Sequence, residues 1–144
     1  MTPPVVVLDA AAFDVLDTPR RSSKLWALLE LTLHEGGQVR CAAVTLAEVC
    51  RGPDRTRRVE YAIAGRHKGQ RIRVIPTDER MAKRVGAILH STHSGSERLA
   101  DAHVVAVCAD SDVAVVVTSD PDDITELSTA VPCTRVTVRR PSLR

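Results

Sequence analysis

The sequence predicts an α/β fold with three layers (α/β/α), in which a mainly parallel central sheet lies between helices. Short runs of β-branched residues alternate with helical patterns along the chain, an order that is typical of parallel sheets. The 144 residues amount to one ordinary domain, and neither a linker nor an internal repeat divides them. We therefore expect a single domain over residues 1–144.

Apolar runs bounded by turn residues predict the strands of this sheet, at residues 5–8, 39–44, 72–75, 113–117 and 133–138. A short helix over residues 10–17 follows the first strand, and it ends at Thr18 because the residue before a proline avoids the helical region. Ser22 or Ser23 caps the next helix, and Gly36-Gly37 ends it. Leu25, Leu28, Leu29 and Leu33 of this second helix fall at spacings of three and four residues, so they form one apolar stripe.

The segment after the second strand permits two interpretations of Glu48, as a capping residue or as part of a catalytic site. Thr45 and Glu48 have the spacing of a capping box, in which a threonine and a glutamate satisfy free amides at a helix start. Beyond them, the chain is rich in basic side chains: Arg51, Arg55, Arg57, Arg58, Arg66, Lys68, Arg71 and Arg73. Such a stripe is usually a solvated helix face, but beside an acidic crevice it can bind phosphates.

Two helices are predicted before the fourth strand. A threonine hydroxyl and two acids at residues 77–79 open the first of them. In the second, over residues 96–111, Asp101 shares one side with Val105 and Cys108. An ionised carboxylate on that apolar side must be paired, hydrogen-bonded or bound to a metal, because burying it alone is costly. Asp101 can be explained by a salt bridge to a buried arginine, as a lone acid at a helix end, or equally by a metal ion.

Several acids follow the fourth strand within a few positions: Asp120, Asp122 and Asp123. One of them is enough to cap the short helix predicted at residues 124–128, and Pro121 suits a first helical turn. At least one of these acids is therefore expected to have another function.

Composition restricts the class of protein further. The formal net charge of +2 is too small to indicate a nucleic-acid binder by itself. Phe13, Trp26 and Tyr61 are the only aromatic residues, so we expect them to pack locally rather than to stack bases. The 4 cysteines form no CxxC pair, which favours reduced thiols in a cytoplasmic protein. The chain also shows no membrane span and no secretion signal.

The acids that could act together share one placement, since each follows a strand or lies in the first turns of the next helix. They are Asp9, Glu48, Asp101, Asp120 and Asp123. In a parallel sheet these positions meet at one edge. Carboxylate oxygens suit Mg²⁺ or Mn²⁺, and without a cation such a cluster would repel itself and raise its own pKa values. The sequence therefore predicts an acidic metal site.

Four motifs in this order resemble the PIN-domain ribonucleases, and most closely the VapC toxins of bacterial toxin–antitoxin pairs. They are VVVLDAAAF, VTLAEVCRG, LADAHVVAVCA and VVVTSDPDDI, and they cover nearly the whole chain. The resemblance implies a single PIN-like domain. It also implies that Asp9, Glu48, Asp101 and Asp120 are the catalytic metal ligands, with Asp123 a more distant one. Asp122 has no clear counterpart, and the family's hydroxyl after the first aspartate is replaced by alanine at Ala10–Ala12.

The function implied by the resemblance is hydrolysis of RNA phosphodiester bonds by a water that Mg²⁺ or Mn²⁺ activates. Thr118, which matches the family's last motif, is a candidate substrate contact, as are Arg51 and Arg55 of the basic stripe. The implied partners are RNA, a cognate VapB-like antitoxin that blocks the acidic crevice, and a second copy of the chain. The alternative is a PIN-like module that binds RNA without cleaving it.

Two other aspartate-based classes fit less well. A phosphoryl-transfer enzyme of the haloacid-dehalogenase type needs DxD after its first strand, where this chain has Asp9-Ala10-Ala11. A phospho-accepting receiver needs an aspartate after its third strand, where this chain has Ile75-Pro76.

Overall fold

The strands form one parallel sheet in the computed structural model, which describes residues 3–20, 22–65 and 71–141. Within the described residues the sheet has 5 strands: β1 Val5–Leu8, β2 Gln38–Ala42, β3 Arg73–Ile75, β4 Val113–Val117 and β5 Arg135–Arg139. Their order is β3-β2-β1-β4-β5, and every neighbouring pair is parallel. The predicted α/β sheet is therefore confirmed, and Arg66 and Lys68 of the basic stripe lie outside the described residues.

Helices cover both faces of the sheet and complete the predicted three layers. They are α1 Ala10–Leu16, α2 Ser23–His34, α3 Ala43–Val49, α4 Pro53–Ala64, α5 Glu79–Ser91, α6 Leu99–Cys108 and α7 Pro121–Ser128, with a 3-10 turn at Ser96–Arg98. Because side chains alternate along a strand, Val6 and Leu8 pack in the core beneath α1, α2 and α4. Val5 and Val7 pack in the opposite core with α5, α6 and α7. None of the described helices is long and apolar enough to cross a membrane.

The aromatic residues differ in their burial. Phe13 and Trp26 are buried in the core beside α1 and α2, as predicted. The prediction that Tyr61 packs locally is wrong, because its side chain on α4 is 69% exposed. With a single exposed ring on this face, the surface offers no platform on which several bases could stack.

The predicted capping box at Thr45 is wrong, because α3 begins at Ala43 and Thr45 lies inside it. Strand β2 stops at Ala42, where its pairing with β3 reaches Ile75, and the next residue of that neighbour, Pro76, cannot donate to the ladder. The chain is therefore free to start the helix earlier than predicted. Thr45 is fully buried, and its hydroxyl caps nothing among the described residues.

Other helix starts also differ from the prediction in detail. Asp78, rather than the threonine before it, caps α5 by accepting a hydrogen bond from the Met81 amide at 2.8 Å. Ser22 occupies the cap position of α2 without a side-chain cap bond. Helix α7 begins at Pro121 and not at residue 124, because proline is pre-organised for a first helical position.

The strand order places a crevice at the carboxyl ends of β1 and β4. Strands β2 and β3 lie on one side of this crevice, and β4 and β5 lie on the other side. Ligands bind at such a switch point in open α/β sheets. Leu8 pairs with Val117 at the last position of this strand pair, so Asp9 and Thr118 leave the sheet side by side.

Candidate metal centre

Asp9 is held rigidly at the end of β1. Its backbone amide donates to the Val117 carbonyl at 3.0 Å, which continues the sheet ladder by one residue. One carboxylate oxygen, Oδ1, accepts from the Ala10 amide at 2.7 Å, and the other, Oδ2, accepts from the Thr118 hydroxyl at 2.8 Å. The residue is buried, and each carboxylate oxygen keeps a second lone pair. The carboxylate of Asp9 is therefore held in one orientation at the carboxyl end of β1, with acceptor capacity left on both oxygens.

Thr118 connects two of the acids. Its hydroxyl donates to Asp9 and accepts from the Asp120 amide at 3.0 Å, and its own amide donates to the Arg139 carbonyl at 2.9 Å. The side chain is fully buried. The sequence predicted Thr118 as a substrate contact, and in the structure its hydroxyl is used by two acids of the cluster. The spacing of a threonine two residues before an acid is the signal of such a local turn.

Asp120 follows β4 and stands at the start of α7. It occupies the cap position, but its carboxylate makes no cap bond to the helix. The residue is exposed, and its charge raises the pKa values of both Glu48 and Asp101. The carboxylate therefore acts on the crevice rather than on the start of the helix.

Asp101 lies in the first turn of α6 and is half-buried. Burial and, after it, the negative charges of the crevice raise its pKa to about 6. These charges belong to Asp9, Asp120, Asp123 and Glu48. No arginine or lysine of the described residues pairs with Asp101. The salt-bridge interpretation of this aspartate is therefore wrong within the described part of the chain.

Glu48 reaches the same crevice from α3. Burial raises its pKa, the charges of Asp9 and Asp120 add to the increase, and Arg51 opposes it. Arg51 also donates from Nε to the Glu48 carbonyl at 3.3 Å. Glu48 thus belongs to the acidic cluster, and an exposed arginine lies beside it.

Asp123 differs from the other acids of the cluster because its carboxylate forms an ion pair with Arg98. Arg98 Nη2 lies 3.1 Å from Asp123 Oδ1 and 3.0 Å from Glu126 Oε2, so it ties the start of α6 to α7. Sequence reasoning missed Arg98, although it stands only three residues before Asp101 and directly precedes the motif LADAHVVAVCA. Asp122, in the first turn of α7, is exposed and does not contribute to the pKa shift of Asp101.

Arg55, predicted as a substrate contact, is engaged elsewhere. Its guanidinium pairs with Asp14 and, at 2.6 Å, with Asp17, and its Nε donates to the Val49 carbonyl at 3.3 Å. Its side chain is 19% exposed. Arg55 therefore joins α1, α3 and α4, whereas the charge of Arg51 acts on Glu48 of the acidic cluster.

The acids fit a hydrated divalent cation better than a closed metal cage. Within residues 3–20, 22–65 and 71–141, no three His, Cys, Asp or Glu side chains are arranged to hold a metal ion. Mg²⁺ needs only one or two protein carboxylates, because it keeps several waters and binds substrate phosphates. Asp9, Glu48, Asp101 and Asp120 supply hard oxygen donors whose mutual repulsion a divalent cation would relieve. The residues present are therefore suited to such an ion.

Comparisons with known proteins identify the family and the fold. The PIN domain family matches residues 6–128, a region that contains every predicted acid. The chain is also similar to a solved structure described as VapBC2 from Rickettsia felis bound to a DNA fragment from their promoter. The TM-score is 0.64 at 13% identity, over 94% of this chain and 98% of that one, which supports the fold alone. No curated protein sequence matches significantly. The chain belongs to the PIN-domain family.

Proposed function

We propose that this chain is an endoribonuclease of the VapC type that depends on Mg²⁺ or Mn²⁺. One observation carries the proposal: the charges of Asp9 and Asp120 raise the pKa values of both Glu48 and Asp101, so carboxylates from four separate segments contribute to one acidic cluster, and among the described residues no cation pairs with Asp101. Such a cluster destabilises the empty protein and is relieved by a divalent ion. The family match and the fold of the VapBC2 structure support the same class of activity.

The ion would be held by Asp9, Glu48, Asp101 and Asp120. When bound, it supplies a water of lowered pKa and neutralises charge on the leaving oxygen of the phosphodiester. Asp9 contributes a carboxylate that the Ala10 amide and the Thr118 hydroxyl hold in one orientation. Asp101 has a pKa of about 6 and is ionised at neutral pH, so its oxygens are available as acceptors.

The test compares Asp101→Asn with Asp122→Asn. Both replace an acid near the start of a helix at the same edge of the sheet, but only Asp101 takes part in the coupled cluster. We expect the wild type and Asp122→Asn to cleave single-stranded RNA in Mg²⁺ or Mn²⁺ and to lose cleavage in EDTA. Asp101→Asn should retain the folded spectrum and lose cleavage. Equal cleavage by both variants would refute the proposal.

A binding module without cleavage is the second candidate. It is favoured by the absence, among the described residues, of three acids already arranged to hold an ion. In that case the wild type and Asp101→Asn would bind RNA with equal affinity and neither would cleave it at any divalent-ion concentration.

We further propose two protein partners, a VapB-like antitoxin and a second copy of this chain. The name of the similar solved structure supports the first, since that structure contains a VapBC2 complex. Co-expression with the gene adjacent to the one for this chain, followed by light scattering of the purified material, tests both. A chain that purifies alone and as a monomer would contradict them.

A further inference from the structure

Two exposed arginines, Arg139 and Arg140, end the sheet beside the acidic crevice. Arg139 pairs with Val117 at the carboxyl end of β5, and its carbonyl accepts from the Thr118 amide at 2.9 Å. The guanidinium of Arg140 donates from Nη1 to the Ser119 carbonyl at 3.3 Å. Both arginines are therefore attached to the short segment that carries Asp120. We call them the β5 arginine pair.

The β5 arginine pair has no carboxylate partner among the described residues. This distinguishes it from the arginines that hold the fold together, since Arg55 pairs with two acids of α1 and its C-cap and Arg98 with two acids of α7. An arginine without an internal acid keeps its donors for a ligand, and a guanidinium fork matches the oxygens of a phosphate. The Ser119 carbonyl uses one donor of Arg140, and the remaining donors stay available.

An acidic nuclease site needs such cations at its margins. The carboxylates that hold the metal repel the phosphates on either side of the cleaved bond, so neighbouring cations must offset that repulsion. Arg51 lies beside Glu48 on the β2 side of the crevice. The β5 arginine pair lies on the opposite side, beyond β4 in the strand order. Neighbouring strands are about 4.8 Å apart, so the ends of β2 and β5 are separated by roughly 15 Å.

We propose that Arg139 and Arg140 bind backbone phosphates of an RNA strand that crosses the carboxyl ends of the strands from Arg51 to β5. This inference rests on the proposed function, because it identifies how the same site receives its substrate. It assigns these arginines no part in bond cleavage. They bind phosphates, so they hold the strand without selecting its bases.

Binding should be measured separately from cleavage, in the full chain carrying Asp101→Asn. The probe is a short fluorescent single-stranded RNA of mixed sequence, titrated at several salt concentrations. We expect the double variant Arg139→Ala/Arg140→Ala to bind several-fold more weakly. The slope of log affinity against log salt should become shallower by about 0.7 for each phosphate that the protein no longer neutralises. Arg140→Lys should retain most of the slope, because the charge is kept.

Arg135 is the matched control. It is exposed on the same strand, but at its amino end, about 13 Å from Arg139 at the usual rise of a strand. Arg135→Ala should leave both affinity and salt slope unchanged. The double variant and Arg135→Ala are also compared by thermal melting with Asp101 intact. If Mg²⁺ raises the melting temperature of both equally, the Asp120 segment is preserved in the double variant.

Two outcomes would overturn the inference: the double variant binds RNA as tightly as Arg135→Ala does, with the same slope, or the parent protein binds no RNA. Both are independent of cleavage. The two proposals can also be separated. If the arginine variants weaken RNA binding as expected but the wild type does not cut RNA, the nuclease proposal is refuted and the arginine assignment is supported.

Discussion

The hydroxyl of Thr118 donates to Asp9 Oδ2 at 2.8 Å, and so joins the end of β4 to the end of β1 across 109 residues of sequence. The same oxygen of Thr118 accepts from the Asp120 amide. Two acids of the candidate metal centre are therefore positioned by one buried side chain that contacts no solvent.

Replacing Thr118 with valine should impair both stability and activity. The change leaves Asp9 Oδ2 and the Asp120 amide without their partner, and unmet buried groups of this kind cost about 1–3 kcal/mol. Urea unfolding measures the loss, and RNA cleavage measures the disturbance of the two acids. Thr118→Ser keeps the hydroxyl and should retain most of the activity. Equal behaviour of the valine and serine variants would show that the hydrogen bonds do not position the acids.

Replacing Asp101 with asparagine should stabilise the metal-free protein at neutral pH. The pKa of Asp101 is raised from 3.8 to about 6 in the folded chain, so the folded state binds more protons than the unfolded state between these values. The contribution of Asp101 to the free energy of unfolding is therefore fully present below about pH 4 and is lost as the pH rises through 6. After allowance for partial exposure, the penalty at pH 7 is on the order of 1 kcal/mol.

Thermal melting in EDTA at pH 4 and at pH 7 provides the measurement. Asp101→Asn should melt about 3 °C above the wild type at pH 7 and show a smaller difference at pH 4. Asp122→Asn, outside the coupled cluster, should show no such dependence. If the variant melts below the wild type at pH 7, burial and the neighbouring charges do not disfavour the ionised form of Asp101.

Replacing Arg55 with alanine should destabilise the fold and spare RNA binding. The change removes the cation that Asp14 and Asp17 share and the bond to the Val49 carbonyl, although Asp17 keeps its ion pair with Arg58 at 2.9 Å. Hydrogen bonds to charged groups contribute about 1.5–3 kcal/mol each, and partial exposure of these acids lowers that figure. Chemical unfolding and RNA affinity, measured on one preparation well below the melting temperature, separate the two roles. A large loss of RNA affinity in a stable Arg55→Ala protein would show that Arg55 contacts the substrate.

The cysteines should differ in reactivity according to burial. Cys133 is exposed and Cys50 is half-buried, whereas burial raises the pKa of both Cys41 and Cys108 to about 12. Because the thiolate is the reactive form, a disulfide reagent at pH 8 should modify Cys133 quickly and Cys50 more slowly. Cys41 and Cys108 should react only after unfolding. Cys133→Ser should abolish the fast phase, and its persistence would contradict the assignment.

Local pattern was sufficient to locate the strands, whereas the metal-binding role of the candidate acids stays a prediction. The run at Val113–Val117 is apolar on both faces, as a central parallel strand requires, and the predicted strand matches β4 at both ends. The pattern was misleading at Thr45, where a plausible capping box lies inside α3. The start of that helix depends on where β2 loses its partner, and sequence spacing does not report this.

The chain's own residues specified a parallel α/β domain with an acid after each of several strands, because hydrophobic periodicity and turn chemistry are local properties. The role of each polar residue was determined only by the tertiary structure. Thr118 became a buried link, Arg55 an internal tie, and Arg140 a cation beside Asp120. Each of these roles depends on a partner far away in sequence, so only the packed sheet determines which groups meet and which stay free for a ligand.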